Sequence, residues 1–397
     1  MILFRRIFLY TLLISPLLSL TGGNEFSTGL NLAAILNLPS LNSLNYLLQT
    51  VFFFLFIILN TSRGKLNIIF TLCFLGFFIF FFPRHPTVFS FIGLISIFTC
   101  FLVFMEDRSG LTHISAKGTK QLFIAYSIYI IISVIAHFII AASGEYFAND
   151  RMMGIFKNPN QMGFFLVAYY LIYILKIRKP YGSKWDYLLP IIIFLLLVLT
   201  GSRSAIVAMF IIHIAHFILI KKWSYLITIT LLLVPLAAIT SYHLNKQEII
   251  EIVSRRPIST LDDVGNMRFK IFNDIINESS TKQILFGKDV SIGTNGMIYE
   301  QKKRNKDIKW LDNLVNVLFY NWGITGLLFL CVILLIDVGK NFPVVKPRIL
   351  ITLFFMIAAF FFLLSDFFPL ALTLVYLKNE FSNDRQNKIF SNNTVLQ

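Results

Sequence analysis

Apolar runs long enough to cross a lipid bilayer follow one another along almost the whole chain, and one polar stretch, roughly residues 243–310, interrupts them. A hydrocarbon core takes about 20 apolar residues per helix. Inside it the backbone must satisfy its own hydrogen bonds, which for runs of this length means helices. The runs fall near 7–21, 44–60, 66–82, 87–105, 121–142, 161–176, 187–200, 204–220, 225–242, 311–336 and 349–365, with a short last one near 367–378. At that length about twelve spans are expected. The predicted fold class is an all-α polytopic membrane protein: a single integral membrane domain over residues 1–397, with one large loop inserted at 243–310. Composition agrees, since 56% apolar residues and 43 Phe exceed what a water-soluble core uses. Arg5 and Arg6 precede the first run as in a signal peptide, but Thr21, Gly22 and Gly23 form no cleavage site, so the run reads as a retained signal anchor.

Lys and Arg stay on the cytoplasmic side of short membrane loops. With the N-terminus inside, nineteen of the 35 basic residues fall in cytoplasmic segments, among them Arg5, Arg6, Lys117, Lys120, Lys346, Arg348 and Lys378. Only Arg84, Arg151, Lys157 and Arg203 fall in short outer loops; the other twelve lie in the long loop, and long segments cross largely regardless of charge. Both termini are thus expected in the cytoplasm, and residues 243–310 outside. The formal net charge of +15 is accordingly a topology signal rather than a nucleic-acid surface. Cys73, Cys100 and Cys331 all lie inside runs and form neither a disulfide framework nor a metal-type pair.

Chemistry at the outer face is expected where polar residues interrupt the runs at their outer ends. Three places qualify. The first is Thr200-Gly201-Ser202-Arg203-Ser204, a turn too short to carry Arg203 far into water. An arginine near hydrocarbon costs up to roughly 2.5–3.5 kcal/mol on insertion scales and usually has a partner or a function. The same turn exposes the start of the next helix, whose N–H groups and positive dipole end favour an anion. The plain alternative is an arginine reaching for headgroup phosphates. The second place runs from Arg151 through Gly154, Lys157, Asn158, Pro159 and Asn160 to Gln161. Asn before Pro is an N-cap followed by a first-turn proline, which explains Asn158 and Pro159 but not the crowding of Arg151, Lys157, Asn160 and Gln161. The third is Trp310-Leu311-Asp312-Asn313-Leu314, with Asp312 either an N-cap or a functional carboxylate and Trp310 an interfacial anchor. All three mark helices beginning on the outer face. Three positive ends with arginines nearby suit one anionic group, for which a diphosphate is the natural candidate.

Within the long loop, Met267, Ile271, Ile275 and Ile276 recur at helical spacing, predicting an amphipathic helix over about 265–279 with Arg268 and Lys270 beside its apolar stripe. Lys302-Lys303-Arg304-Asn305-Lys306 suits anionic lipid or an acidic sugar polymer. His213 and His216 are three apart on one helix with no carboxylate or third histidine nearby in sequence, so they read as packing groups and no metal is expected.

The order Gly154-Ile-Phe-Lys-Asn158-Pro159-Asn160, then Thr200-Gly201-Ser202-Arg203-Ser204-Ala205, then Arg268 and Gly287, then Asp312-Asn313 with Gly323-Ile-Thr-Gly326, resembles the O-antigen ligase and polymerase superfamily. The resemblance covers roughly residues 120–335, and the Gly-Ser-Arg-Ser turn is its most specific part. It implies a multi-span, lipid-dependent glycosyltransferase fold in a bacterial cytoplasmic membrane. The implied substrate is a glycan carried on undecaprenyl diphosphate, without nucleotide sugar, metal or other cofactor, with a flippase and a chain-length regulator as further partners. The family's ligases typically have His-Asn or His-Ser where this chain has Asp312-Asn313. That departure points to the polymerase branch and removes the ligase histidine as a base. On this reading Arg203, Arg268 and Asp312 are the catalytic candidates, and Arg151, Lys157, Asn158, Asn160, Gln161, Ser202 and Asn313 bind substrate. A ligase of the same superfamily is one alternative. A flippase for the same lipid-linked sugars is the other; it would favour internal repeats and polar sites near the bilayer midplane.

Overall fold

A computed structural model describes residues 2–19, 42–61, 103, 110–142, 152–156, 158–177, 185–219, 276–277, 279–287, 297–299, 308–310, 314–341, 346–361 and 369–378. The described residues are overwhelmingly helical. In chain order the helices are α1 (Ile2–Ile14, continued by a 3-10 turn to Ser19), α2 (Asn42–Thr61), α3 (Ala116–Ala142), α4 (Pro159–Ile172, continued by a π-turn to Ile177), α5 (Trp185–Thr200) and α6 (Arg203–Leu219). They are followed by α7 (Thr281–Phe286), α8 (Leu314–Asn341), α9 (Lys346–Phe361) and α10 (Pro369–Lys378). The one departure from the expected all-α class is a short antiparallel ladder within the long loop, β1 (Met297–Tyr299) against β2 (Ile308–Trp310), with Met297 opposite Trp310. The spans expected near 66–82, 87–105 and 225–242 lie outside the described residues, apart from Val103, as do most of the 265–279 helix and the 302–306 basic run.

Two stretches, Ala116–Ile139 and Pro159–Ile177, are long and apolar enough to cross a membrane. They do so in different surroundings. In α3 one face, Leu122, Tyr126, Ile130 and Ser133, is buried at helical spacing. The opposite face, Ile124, Ile128, Ile131, Ile135, Phe138 and Ile139, is exposed and carries no charge, a distribution suited to lipid rather than to water. By contrast, α4 is apolar all round and buried from Gln161 to Ile174.

The chain forms two compact units: Met1–Ser19 with Leu41–Leu122 and Ile271–Gln397, and Leu20–Ser40 with Phe123–Lys270. In the first, Phe8 of α1 meets Phe52 of α2 edge-to-face, with ring centroids 6.1 Å apart. Three further contacts tie this unit together. Arg5 Nε donates to the Gly110 carbonyl at 2.7 Å, the Thr119 and Tyr376 hydroxyls are 2.7 Å apart, and Arg348 Nε donates to the Lys378 carbonyl at 3.2 Å. The last of these places a cation on the C-terminal carbonyls of α10, where the helix dipole favours it.

The expected span 311–336 is corrected by the backbone. Gly323 has φ 59° and ψ −150°, which breaks α8 into 314–322 and 324–341. A Cβ on Gly326 would lie 2.8 Å from the Leu318 carbonyl oxygen, whereas a straight helix separates positions eight apart by about 12 Å. The chain therefore folds back on itself at Gly323, and the apolar residues on its two sides do not form one continuous span. Helix α7 seals the corner: a Cβ at Gly323 would be 2.3 Å from the Ile284 carbonyl oxygen and 2.8 Å from the Gly287 nitrogen. A Ser280–Gln283 capping box starts α7, and Gly287, at φ 88°, ends it.

In the second unit, α4 packs against both α5 and α6. Gly163 makes this possible, because a Cβ there would be 2.7 Å from the Ala205 Cβ and 2.9 Å from the Ser202 Cβ. The opening of α6 therefore lies directly on the first turn of α4.

Candidate functional site

The first two polar places read from the sequence meet in the second unit. Asn158 is the N-cap of α4: its Oδ1 accepts from the Gln161 nitrogen at 2.9 Å, and Pro159 occupies the first helical turn. The turn before α6 is held by its own hydroxyl. Thr200 Oγ1 donates to the Leu197 carbonyl at 2.7 Å and accepts from the Ser202 nitrogen at 3.2 Å, while Gly201, at φ 58°, donates to the Val198 carbonyl at 2.9 Å. Only a residue without a Cβ takes that left-handed conformation at little cost. The Ser202 carbonyl accepts from the Ile206 nitrogen at 3.0 Å, which makes Ser202 the N-cap of α6.

A serine at an N-cap ordinarily bonds within its own helix. Here the Ser202 hydroxyl instead donates to Asn160 Oδ1, at 2.9 Å, on the second helical position of α4. Two helix N-termini are thereby joined through side chains 42 residues apart in the chain. Each terminus carries roughly half a positive charge, although in α4 Pro159 has no N–H and the Gln161 N–H is taken up by Asn158 Oδ1. Held side by side where Ser202, Thr200 and Gln161 are buried, the two ends attract a negative group more strongly than either would in water.

The loop leading into α4 fixes this geometry from below. Met152, Met153, Ile155 and Phe156 are all buried. The Met152 nitrogen donates to the Leu199 carbonyl at 2.9 Å, and the Ile155 nitrogen to Ser133 Oγ at 3.3 Å. Gly154, at φ 59°, lies so close to α3 that a Cβ would be 2.1 Å from the Ser133 Cβ. Ser133 was not among the residues singled out from the sequence. Its signal was one of two serines, with Ser127, in an apolar helix, which is also what an ordinary back-bonding serine looks like. Gly163 was missed for a similar reason: a glycine inside a greasy run announces close approach but not the partner.

Of the catalytic candidates, Arg203 occupies the first position of α6, and its side chain lies outside the described residues. Arg268 and Asp312 lie outside them altogether, as do Arg151, Lys157 and Asn313. The third polar place belongs to the other unit, where the Trp310 backbone pairs in β2 and α8 opens at Leu314. It opens the segment 314–322, ahead of the Gly323 break.

The two histidines of α6 are both buried. His213 Nδ1 hydrogen-bonds the Tyr170 hydroxyl of α4, and its ring meets Phe217 edge-on at 4.6 Å. His213 thus packs as a polar group between α4 and α6, and Tyr170 is the partner the sequence did not name.

Comparison of the chain with protein-family models, curated proteins and solved structures finds no match.

Proposed function

We propose that this chain is a multi-pass membrane glycosyltransferase of the bacterial cytoplasmic membrane that polymerises glycan repeat units carried on undecaprenyl diphosphate at the outer face. The observation that carries the reading is the joining of the α4 and α6 N-termini through Asn160 and Ser202, with Arg203 as the first residue of α6. An acceptor sugar hydroxyl attacks the anomeric carbon of the growing glycan; the bond to the diphosphate oxygen breaks, and its electron pair leaves on the lipid diphosphate. Charge grows on that diphosphate in the transition state, so preorganised helix ends and cations lower the barrier without a metal. Arg203, Arg268 and Arg151 are assigned that role, with Asn158, Asn160, Gln161, Ser202, Lys157 and Asn313 orienting phosphate and sugar oxygens. Asp312 is assigned the hydroxyl proton.

A flippase for the same lipid-linked sugars is the second reading; it would favour polar sites on helices broken near the bilayer midplane. A ligase of the same superfamily would use the same joined helix ends and differs only in the acceptor.

Arg203→Lys tests the site. A planar guanidinium holds two phosphate oxygens where an ammonium holds one as a point charge. The lysine variant is expected to insert normally and to lose most of the polysaccharide ladder seen on a gel. A ladder of wild-type length and intensity at equal membrane abundance would remove Arg203 from the site. Linkage of purified lipid-diphosphate repeat units in vitro, without nucleotide sugar, tests the reaction itself.

A further inference from the structure

Four residues of α8 beyond the Gly323 corner, Ile324, Leu328, Val332 and Leu335, are 39%, 57%, 45% and 70% exposed. Their spacing of four, four and three puts them on one face of the helix. Helix α7 is seated on the corner where that stripe begins, with the Leu285 carbonyl carbon 2.7 Å from the position a Gly323 Cβ would take. The exposed face of α7 is itself graded. Leu285 and Phe286, at the end next to Gly323, are 42% and 36% exposed, whereas Ser280, Thr281 and Lys282, at the far end, are exposed and polar. Its other face, Gln283 and Ile284, is half-buried.

An exposed apolar stripe that runs along a crossing helix, passes onto a loop helix and stops within one turn at a lysine has the profile of a bilayer boundary. We infer that α7 is a membrane-interface foot: Leu285 and Phe286 enter the boundary between acyl chains and headgroups, and Lys282 lies at the level of the phospholipid phosphates. Helix α7 is then held on one side by its backbone contact with Gly323 and on the other by the lipid surface. The inference rests on the membrane part of the proposed function and not on the reaction.

The test is nitroxide depth measurement on the full chain in nanodiscs of phosphatidylethanolamine and phosphatidylglycerol. Cys73, Cys100 and Cys331 are replaced by alanine, and single labels are placed by Thr281→Cys, Leu285→Cys, Phe286→Cys and Leu328→Cys. Labels at 285 and 286 are expected to collide with oxygen several-fold more readily than with a water-soluble nickel complex, as the label at 328 does, and the label at 281 to show the reverse. If 285 and 286 behave as 281 does, or are shielded from both reagents as beneath a second protein, the foot is wrong while the span stands. If 328 also favours the nickel complex, the membrane reading fails with it. Because each label is scored against the others in a protein of verified abundance, a variant that does not insert is recognised by its missing signal and replaced by Phe286→Trp, read by quenching with brominated phospholipid. Absence of quenching there overturns the inference in the same way.

Discussion

Gly163 leaves no room for even a methyl group, and its neighbours are the two side chains that open α6. Gly163→Ala is expected to force α4 and α6 apart at a cost of about 1–3 kcal/mol, seen as a lower thermal unfolding midpoint in detergent. It should also weaken the Ser202–Asn160 bond, so activity should fall further than abundance does. Ser202→Ala removes that bond without adding bulk; a loss of about 1 kcal/mol is expected from the missing hydrogen bond, with helix content unchanged by circular dichroism. Unchanged stability in both variants would mean that the helix ends are not clamped together as described. At Asp312 the two readings part more sharply. An N-cap needs only a side-chain oxygen, so Asp312→Asn should keep the helix start within about 1 kcal/mol, whereas a base needs the ionised carboxylate. Accumulation of single lipid-linked repeat units in a well-inserted Asn variant is the outcome expected of a base, and normal polymer would remove Asp312 as the base.

The element whose shape departs most from expectation is α8. Apolar residues predominate from Leu311 to Ile336 despite Asp312, Asn313, Asn316 and Asn321, so a window average reads one span. The break depends on a single residue in a conformation that side chains with a Cβ avoid, and on α7 pressing against it. Gly323→Ala should therefore act on the loop more than on the span. It adds left-handed strain of about 1–2 kcal/mol and a collision with the Ile284 carbonyl. Limited proteolysis should then cut near residues 280–287 faster than in the wild type while the membrane-embedded fragments survive. The start of α4 is the contrary case. Asn158 followed by Pro159 was legible as a helix start because capping is a local interaction, decided within four residues of sequence.

At the scale of the molecule, charge asymmetry predicts Arg5, Lys117, Lys120, Arg348 and Lys378 on the same side of a membrane. In the first unit, segments bearing them are tied to others by Arg5 on Gly110, Thr119 on Tyr376 and Arg348 on Lys378. The predicted sidedness is testable by labelling. Lys282, on the exposed face of α7, should react as Lys282→Cys in intact cells, and Lys388→Cys only after permeabilisation. Labelling of position 282 only after permeabilisation would invert the proposed topology.

Local free energies were readable from the residues alone. The apolar runs, the helix starts at Asn158 and near Ser204, and the turn at Gly201 each follow from a few neighbouring residues, and they appear as α4, α5 and α6. The tertiary structure decided which helix touches which. Helices α3 to α6 are all apolar, so hydropathy alone specifies no partner among them. What specifies it is shape and hydrogen bonding at single positions: Gly154 against Ser133, Gly163 against Ser202 and Ala205, Ser202 on Asn160, Tyr170 on His213. Two polar turns 42 residues apart thus became one site only when the chain folded, because the glycine that admits one helix to the other marks a close approach without naming what approaches.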